Sequence, residues 1–282
     1  MADEDEEGFD VIISDSGGCT GSFNMSADLF LLNKYKIWNN FSSRPTLRVY
    51  YFSPPALSFG YFQGDKEIDY KIIERTKKKG YDVVSRPTGG RAVLHKNEIT
   101  YSITASYKNG IFAGKLMETY KKIGRFLYLF FVKLGLKPDS GDISASGEFL
   151  QGSGKRLKNN FNCFLKAHPF EITFGEKKIC GNSQRRSGGA FLQHGSIYID
   201  YNPAEHIEIF TGGIASGPNG GGDYSDYFNN VTGIRQEMEN AGIDFGGSDL
   251  SFENLSKIMV ESFSEIYGLN ANPVPSNIFS NL

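Results

Sequence analysis

The stretch "FEITFGEKKICGNSQRRSGGAFLQHGSIYID", residues 170–200, decides the fold. Two short β-prone runs, 170–174 and 177–181, flank Gly175-Glu176, the pattern of a hairpin closed by a two-residue turn. A third β-prone run, 190–200, follows after a glycine pair. The same stretch holds a cysteine, Cys180, and the lysine pair Lys177-Lys178, and another cysteine, Cys163, lies just upstream.

Outward from this point, strands and helices mix without regular βαβ alternation. Upstream, 47–53 and 56–62 read as strands joined across Pro54 and Pro55, and 81–85, 92–95 and 98–106 read as further strands. Residues 24–38 read as a helix with Asn24 as N-cap and Asp28 in its early part. A second helix, 68–80, has a basic last turn and stops at Gly80. The strongest helical signal is 115–135, where Leu116, Tyr120, Ile123, Leu127, Phe130 and Leu134 share one face. A last helix, 251–268, starts at Ser251, carries Leu255, Ile258, Met259 and Phe263 as its stripe, and ends at Gly268. Residues 138–160 and the glycine-rich 211–227 read as loops. The expected fold class is α/β of the α+β kind: one mixed, largely antiparallel sheet domain with packed helices. The expected layout is an acidic tail over 1–9, one domain over 10–270 and a short C-terminal tail over 271–282.

Composition bounds the function. The net charge of −2 over 282 residues argues against a dedicated nucleic-acid binder. No apolar run is long enough to span a bilayer, so no membrane role is expected. The opening "MADEDEEGFD" lacks the basic and apolar regions of a secretory signal. Three cysteines without paired spacing disfavour a disulfide scaffold and point to a reducing cytoplasm. The four histidines and three cysteines have no metal-site spacing, so neither a metal nor another cofactor is expected.

Three constellations can carry chemistry. In "RPTGGRAVLH", residues 86–95, the pair Gly89-Gly90 allows a tight turn and close approach of backbone to a ligand, between Arg86 and Arg91 and ahead of His95. By itself such a turn is more often a surface hairpin. In the lysine hairpin, a cation beside a cysteine stabilises the thiolate, the nucleophilic form. Side chains alternate along the hairpin strand, so Lys178 and Cys180 share a face. Local periodicity therefore nominates Cys180, while Cys163 reaches Lys178 only through the tertiary fold. Either cysteine is, on composition alone, an ordinary buried thiol. In "GNSQRR…LQHGS", residues 181–196, Gly181, Asn182, Ser183, Gln184, His194 and Gly195 offer close backbone approach and polar groups that can orient a substrate.

Together these pieces resemble the lipoate/octanoate attachment family, related to the catalytic domain of biotin–protein ligases. The resemblance starts at "GSFNMSADLFLL", continues through "PPALSFGYFQ", and is strongest at "RPTGGRAVLHKNEITYSI" and "KKICGNSQRRSGGAFLQHGSIYID". Within the family the chain looks most like LipM-type octanoyltransferases, in which a cysteine followed by Phe precedes the lysine hairpin, as "NCF" does at Cys163. The resemblance implies that Cys163 is the nucleophile, Lys178 its partner and Cys180 a bystander. It implies an acyltransferase that takes octanoyl from octanoyl-acyl carrier protein onto Cys163 and passes it to a lysine of a lipoyl-domain protein, such as glycine cleavage H protein or a 2-oxo acid dehydrogenase subunit. Arg86, Gly89, Gly90, Arg91, His95, Gly181, Asn182, Ser183, Gln184, His194 and Gly195 would line the substrate site. A monomer is the simplest state. The alternatives are an ATP-dependent lipoate–protein ligase, an amidotransferase between lipoyl-domain proteins, and a non-catalytic acyl- or carrier-binding protein.

Overall fold

The computed structural model describes residues 11–37, 45–63, 69–139, 172–213, 228–243, 249–273 and 279. Their elements are β1 (Val11–Cys19), α1 (Gly21–Ile37), β2 (Thr46–Phe52), β3 (Ala56–Phe59), α2 (Tyr70–Lys78), β4 (Asp82–Ser85), β5 (Val93–His95), β6 (Glu98–Ser106), α3 (Leu116–Lys133), β7 (Thr173–Phe174), β8 (Lys177–Lys178), β9 (Cys180–Ser187), β10 (Ala190–Tyr198), α4 (Pro203–Thr211), α5 (Ile234–Asn240), α6 (Phe252–Tyr267) and β11 (Ala271–Pro273).

Six strands form one sheet in the order β11-β1-β2-β6-β10-β9, and β4-β3-β5 form a second. In the large sheet β1 runs parallel to β2 and β11, and β2, β6, β10 and β9 are antiparallel in succession. The mixed, mostly antiparallel architecture expected from the hairpins is the one observed. The expected hairpin at 170–181 forms as β7 and β8, with Gly175 at a φ of 56° supplying the turn.

Alternation along the central strands sorts two faces. From β6 and β10, Ile99, Tyr101, Ile103, Phe191 and Ile197 enter the main core, where they meet Phe126, Phe130 and Phe131 of α3 and Met259 and Phe263 of α6. The opposite face of β6 carries Glu98, Thr100 and Ser102, all buried. That face is covered by α1 and by the small sheet, and the polar residues between these layers form the site.

Several boundaries differ from the sequence reading. Helix α1 begins at Gly21, and Thr20 Oγ1 accepts from Phe23 N at 3.3 Å, so Thr20 rather than Asn24 serves the N-terminus. Asn24 lies inside the helix, fully buried, and its amide donates to the carbonyls of Cys19 and Tyr51. A Cβ on Gly21 would meet Val84 at 2.9 Å, so close packing on β4 explains a glycine in the first turn. Strand β3 stops at Phe59 because Gly60 abuts the 86–91 turn. Helices α4 and α5, strands β1 and β11 and the part of β9 beyond Gly181 were not anticipated; α4 starts at Asn202-Pro203, with Asn202 Oδ1 accepting from Glu205 N. Leu116, placed on the apolar stripe of α3, is 44% exposed in the first turn, whereas Ile123, Leu127, Phe130 and Leu134 are buried. Nearly all of the expected 138–160 loop and most of 211–227 lie outside the described residues. Among the described residues no helix is long and apolar enough to cross a membrane.

Candidate active site

Helix α1 places Asp28 over the polar face of the large sheet. Its carboxylate accepts from Arg48 Nη1 (3.1 Å) and Tyr50 Oη (2.9 Å) of β2 and from Ser102 Oγ (2.7 Å) of β6. It also faces His194 Nδ1 of β10 at 3.1 Å. Register explains the convergence: Arg48, Ser102, His194 and Ser183 are directly paired across β2, β6, β10 and β9, so they share a face. Burial would raise the Asp28 pKa, but the hydrogen bond from His194 and the Arg48 charge hold it below the usual carboxylate value. Burial pushes His194 below its ordinary value despite the pull of Asp28. The imidazole is therefore neutral at pH 7. Its Nδ1–H donates to Asp28, and its Nε2 accepts from the Thr88 hydroxyl at 2.5 Å.

A second chain runs in parallel. His95 Nδ1 faces Glu98 Oε2 at 3.2 Å and Ser196 Oγ at 2.9 Å, and Nε2 faces Ser58 Oγ at 2.7 Å. The His95 ring stacks on Phe52, with centroids 4.1 Å apart. Arg86 ties this chain to the glycine turn. It donates to the Ser58 carbonyl and hydroxyl, twice to the Gly89 carbonyl and once to the Arg91 carbonyl. Ser183 Oγ also donates to the Gly89 carbonyl, at 2.8 Å. A Cβ on Gly60 would lie 2.0 Å from the Gly90 carbonyl oxygen, and Gly90 itself has a φ of 91°. The turn is thus locked from both sides.

Between the sheets lies a small pocket bordered by Met25, Tyr50, Arg86, Val93, His95, Thr100, Gly181, Asn182, Ser183, His194, Gly195 and Ser196. Seven residues singled out in the sequence, Arg86, His95, Gly181, Asn182, Ser183, His194 and Gly195, come together here. Each of its polar side chains is hydrogen-bonded within the protein: Tyr50 and His194 to Asp28, His95 to Ser58, Ser196 to His95, Thr100 to Glu98, Ser183 to Gly89, Asn182 to Tyr101, and Arg86 to the turn. The surface left toward the cavity is mainly apolar, a wall suited to an alkyl chain despite the polarity of its residue names.

Other predicted residues are placed elsewhere. Gly89 and Gly90 form the turn that Ser183 holds. Arg91 is exposed and contributes its carbonyl to Arg86. Gln184 is on the α3 side of β9, bonded to Thr119, Gln193 and Arg186, so it braces β9 and does not border this pocket. Cys180 occupies the same side: it is fully buried in the main core, and its Sγ donates to Asn182 Oδ1 at 3.1 Å. The alternation that paired Lys178 with Cys180 fails for a physical reason. β8 ends at Lys178 and Cys180 opens β9 in another sheet, with Ile179 between them in neither. Cys180 is the packed thiol implied by the family resemblance. Lys178 is 3% exposed, its N–H donates to the Asn230 carbonyl, and its carbonyl accepts from Thr232. Cys163 lies outside the described residues. Among those residues no group of histidine, cysteine and carboxylate side chains is arranged to hold a metal ion.

Sequence reasoning missed Arg48, Tyr50, Ser58, Thr88, Glu98 and Ser102 and treated Asp28 only as a helix-end charge. A signal existed: Asp28 and Arg48 are opposite charges set in apolar runs, and residues of this kind are rarely buried unless paired.

Comparison with known proteins agrees with this geometry. Residues 20–264 match the family model described as lipoyl protein ligase A/B catalytic domain. A protein from Kyrpidia tusciae named octanoyltransferase LipM is 31% identical over 264 residues, covering 92% of this chain and 87% of the relative. Its namesake from Geobacillus kaustophilus is 37% identical over 198 residues, covering 70% of this chain and 68% of the relative. The crystal structure of a lipoate-protein ligase A bound with ATP superimposes with a TM-score of 0.61 at 17% identity, over 97% of this chain and 95% of that one, which shows a shared fold. With its glycine turn, its β9–β10 pocket and a family match spanning all but the two ends, the chain belongs to the lipoyl protein ligase A/B catalytic-domain family.

Proposed function

We propose that this chain is an octanoyltransferase working in two half-reactions. In the first, the Cys163 thiolate attacks the carbonyl carbon of octanoyl-acyl carrier protein. The carrier's C–S bond breaks, its thiolate leaves, and octanoyl is held on Cys163 as a thioester. In the second, the deprotonated amine of a lysine on a lipoyl-domain protein attacks that carbonyl. An amide forms, the Cys163 thiolate is released, and the amine's surplus proton goes to solvent. Glycine cleavage H protein or a 2-oxo acid dehydrogenase subunit fits the acceptor role. One difficult transfer becomes two easier ones, with ping-pong kinetics. Passage from thioester to amide is downhill, so ATP has no part in it.

The observation that carries this reading is the pocket whose polar side chains are all engaged internally. Burying an octanoyl tail there gains about 0.8 kcal/mol per methylene without stripping water from unsatisfied polar groups. Cationic Lys178 would stabilise the Cys163 thiolate and the oxyanion that forms on the acyl carbonyl. Kinship with proteins named octanoyltransferase LipM supports the same chemistry. The test is acyl transfer to an apo lipoyl-domain acceptor in ATP-free buffer. Modification from octanoyl-acyl carrier protein without ATP is expected. Modification only from free octanoate plus ATP would make the chain a ligase.

A further inference from the structure

Phe62 is 81% exposed and Tyr61 54%, yet the turn that presents them is tightly held. Gln63 N donates to the Gly60 carbonyl at 2.9 Å, Gly60 N donates to Gln63 Oε1 at 3.0 Å, and Tyr61 N donates to the Thr88 carbonyl at 2.8 Å. The two rings meet edge to face, with centroids 5.2 Å apart. The Arg185 guanidinium of β9 lies over the Tyr61 ring, 4.6 Å from its centroid, and donates to the Pro87 carbonyl at 3.0 Å. Phe62 flanks Gly89, where a Cβ would lie 3.6 Å from its ring. The Gly89 carbonyl is in turn held by Ser183, which borders the pocket. The two rings and Arg185 thus form a fixed lip just outside the pocket. Arg91, exposed and two residues past Gly89, adds a second cation. The three segments that meet here, 60–63, 86–91 and 183–187, contain no acidic residue. Folding gains little from a phenylalanine left in water, whereas pre-ordered aromatic and arginine side chains are the anchors of protein interfaces.

We propose that this lip docks the acyl donor, an acidic carrier protein that presents its thioester on a phosphodiester-linked arm. The inference rests on the acyl-transfer reading and adds to it the surface that receives the first substrate. Charge selects the donor over the acceptor. The donor brings an anionic phosphodiester and an acidic surface to the mouth, and Arg91 and Arg185 attract both. The acceptor brings a lysine that is cationic until it loses its proton, and the same arginines repel it. Phe62 supplies the apolar contact at the centre, with Tyr61 behind it and the cations at its rim. Because the turn is already ordered, docking costs little conformational entropy there.

The test compares two donors with the same thioester bond. Wild type, Phe62→Ser and Arg185→Glu are loaded in single turnovers from octanoyl-acyl carrier protein and from octanoyl-N-acetylcysteamine, which has neither protein nor phosphate. Acyl-enzyme is followed by intact mass. Enzyme preloaded with the small thioester is then given an apo lipoyl-domain acceptor. Phe62→Ser should raise the carrier concentration needed for half-maximal loading about tenfold and leave the saturating rate unchanged. Arg185→Glu should do the same and flatten the salt dependence of carrier loading. Loading from the small thioester and transfer to the acceptor should match wild type in both variants. If Arg185→Glu fails to fold, Phe62→Ser decides alone. Unchanged carrier dependence, an equal loss with both donors, or a loss confined to the acceptor step overturns the docking assignment and leaves the transferase reading standing. Absence of any acyl adduct on the wild type from the carrier overturns the transferase reading and the assignment with it.

Discussion

Asp28 on the first helix faces His194 Nδ1 at 3.1 Å although 166 residues separate them in the chain. The same carboxylate holds Arg48, Tyr50 and Ser102, so one buried charge organises the polar face of three strands from above. Asp28→Asn removes that charge from beside the fully buried Arg48 guanidinium, which keeps its hydrogen bonds to Asn24. Losing one member of a buried pair costs about 3–5 kcal/mol. Urea denaturation should show a loss of this order for Asp28→Asn, and a double variant with Arg48→Met should lose clearly less than the sum of the two single losses. Strict additivity would mean that the pair is not coupled.

The glycine turn makes a sharper steric prediction. A Cβ on Gly60 would lie 2.0 Å from the Gly90 carbonyl oxygen, a backbone atom that cannot move aside cheaply, whereas a Cβ on Gly89 meets only the Phe62 ring at 3.6 Å. Gly60→Ala should therefore push the 86–91 turn away from β3 and lower the melting temperature by several degrees, consistent with a cost of about 1–3 kcal/mol. Gly89→Ala should remain within a degree or two of wild type. Equal effects of the two substitutions would show that the locking contact is not as described.

Acid should destabilise the protein before its carboxylates titrate. Burial lowers the His206 pKa to about 4, and burial lowers His194 as well. A histidine whose folded pKa is depressed takes up protons more readily when unfolded. Its stabilising share is complete above the unfolded value near 6.5 and is lost as pH falls through the folded one. Between pH 6.5 and about 4, His206 alone accounts for a loss on the order of 3 kcal/mol. Asp28, also held low, adds a loss only below its ordinary value of 3.8. Thermal melts from pH 7 to pH 4 should fall steadily, and His206→Gln should flatten the slope. A flat profile in the wild type would contradict the burial of both imidazoles in neutral form.

Legibility in the sequence followed the range of the interactions. Helices α3 and α6 and strands β6 and β10 were readable because their apolar periodicity, glycine stops and serine cap are local. Helix α1 was read three residues short, since Gly21 is tolerated there only by packing on Val84, a contact made across the fold. Seven of the expected site residues do border one pocket, because β9 and β10 pair in the register that their hairpin spacing implies. The mistaken part was the Lys178–Cys180 alternation, which assumed one strand where the chain changes sheets at Ile179. Asp28, Arg48, Thr88 and Glu98 escaped notice because each has meaning only through a partner on another element.

The account turns on which thiol carries the acyl group. Cys180 is fully buried on the α3 side of β9, where it donates to Asn182. The direct measurement is intact mass of the purified protein after incubation with octanoyl-acyl carrier protein, for wild type, Cys163→Ala and Cys180→Ala. The predicted result is one octanoyl adduct on the wild type and on Cys180→Ala, and none on Cys163→Ala. An adduct that persists in Cys163→Ala and disappears in Cys180→Ala would contradict it.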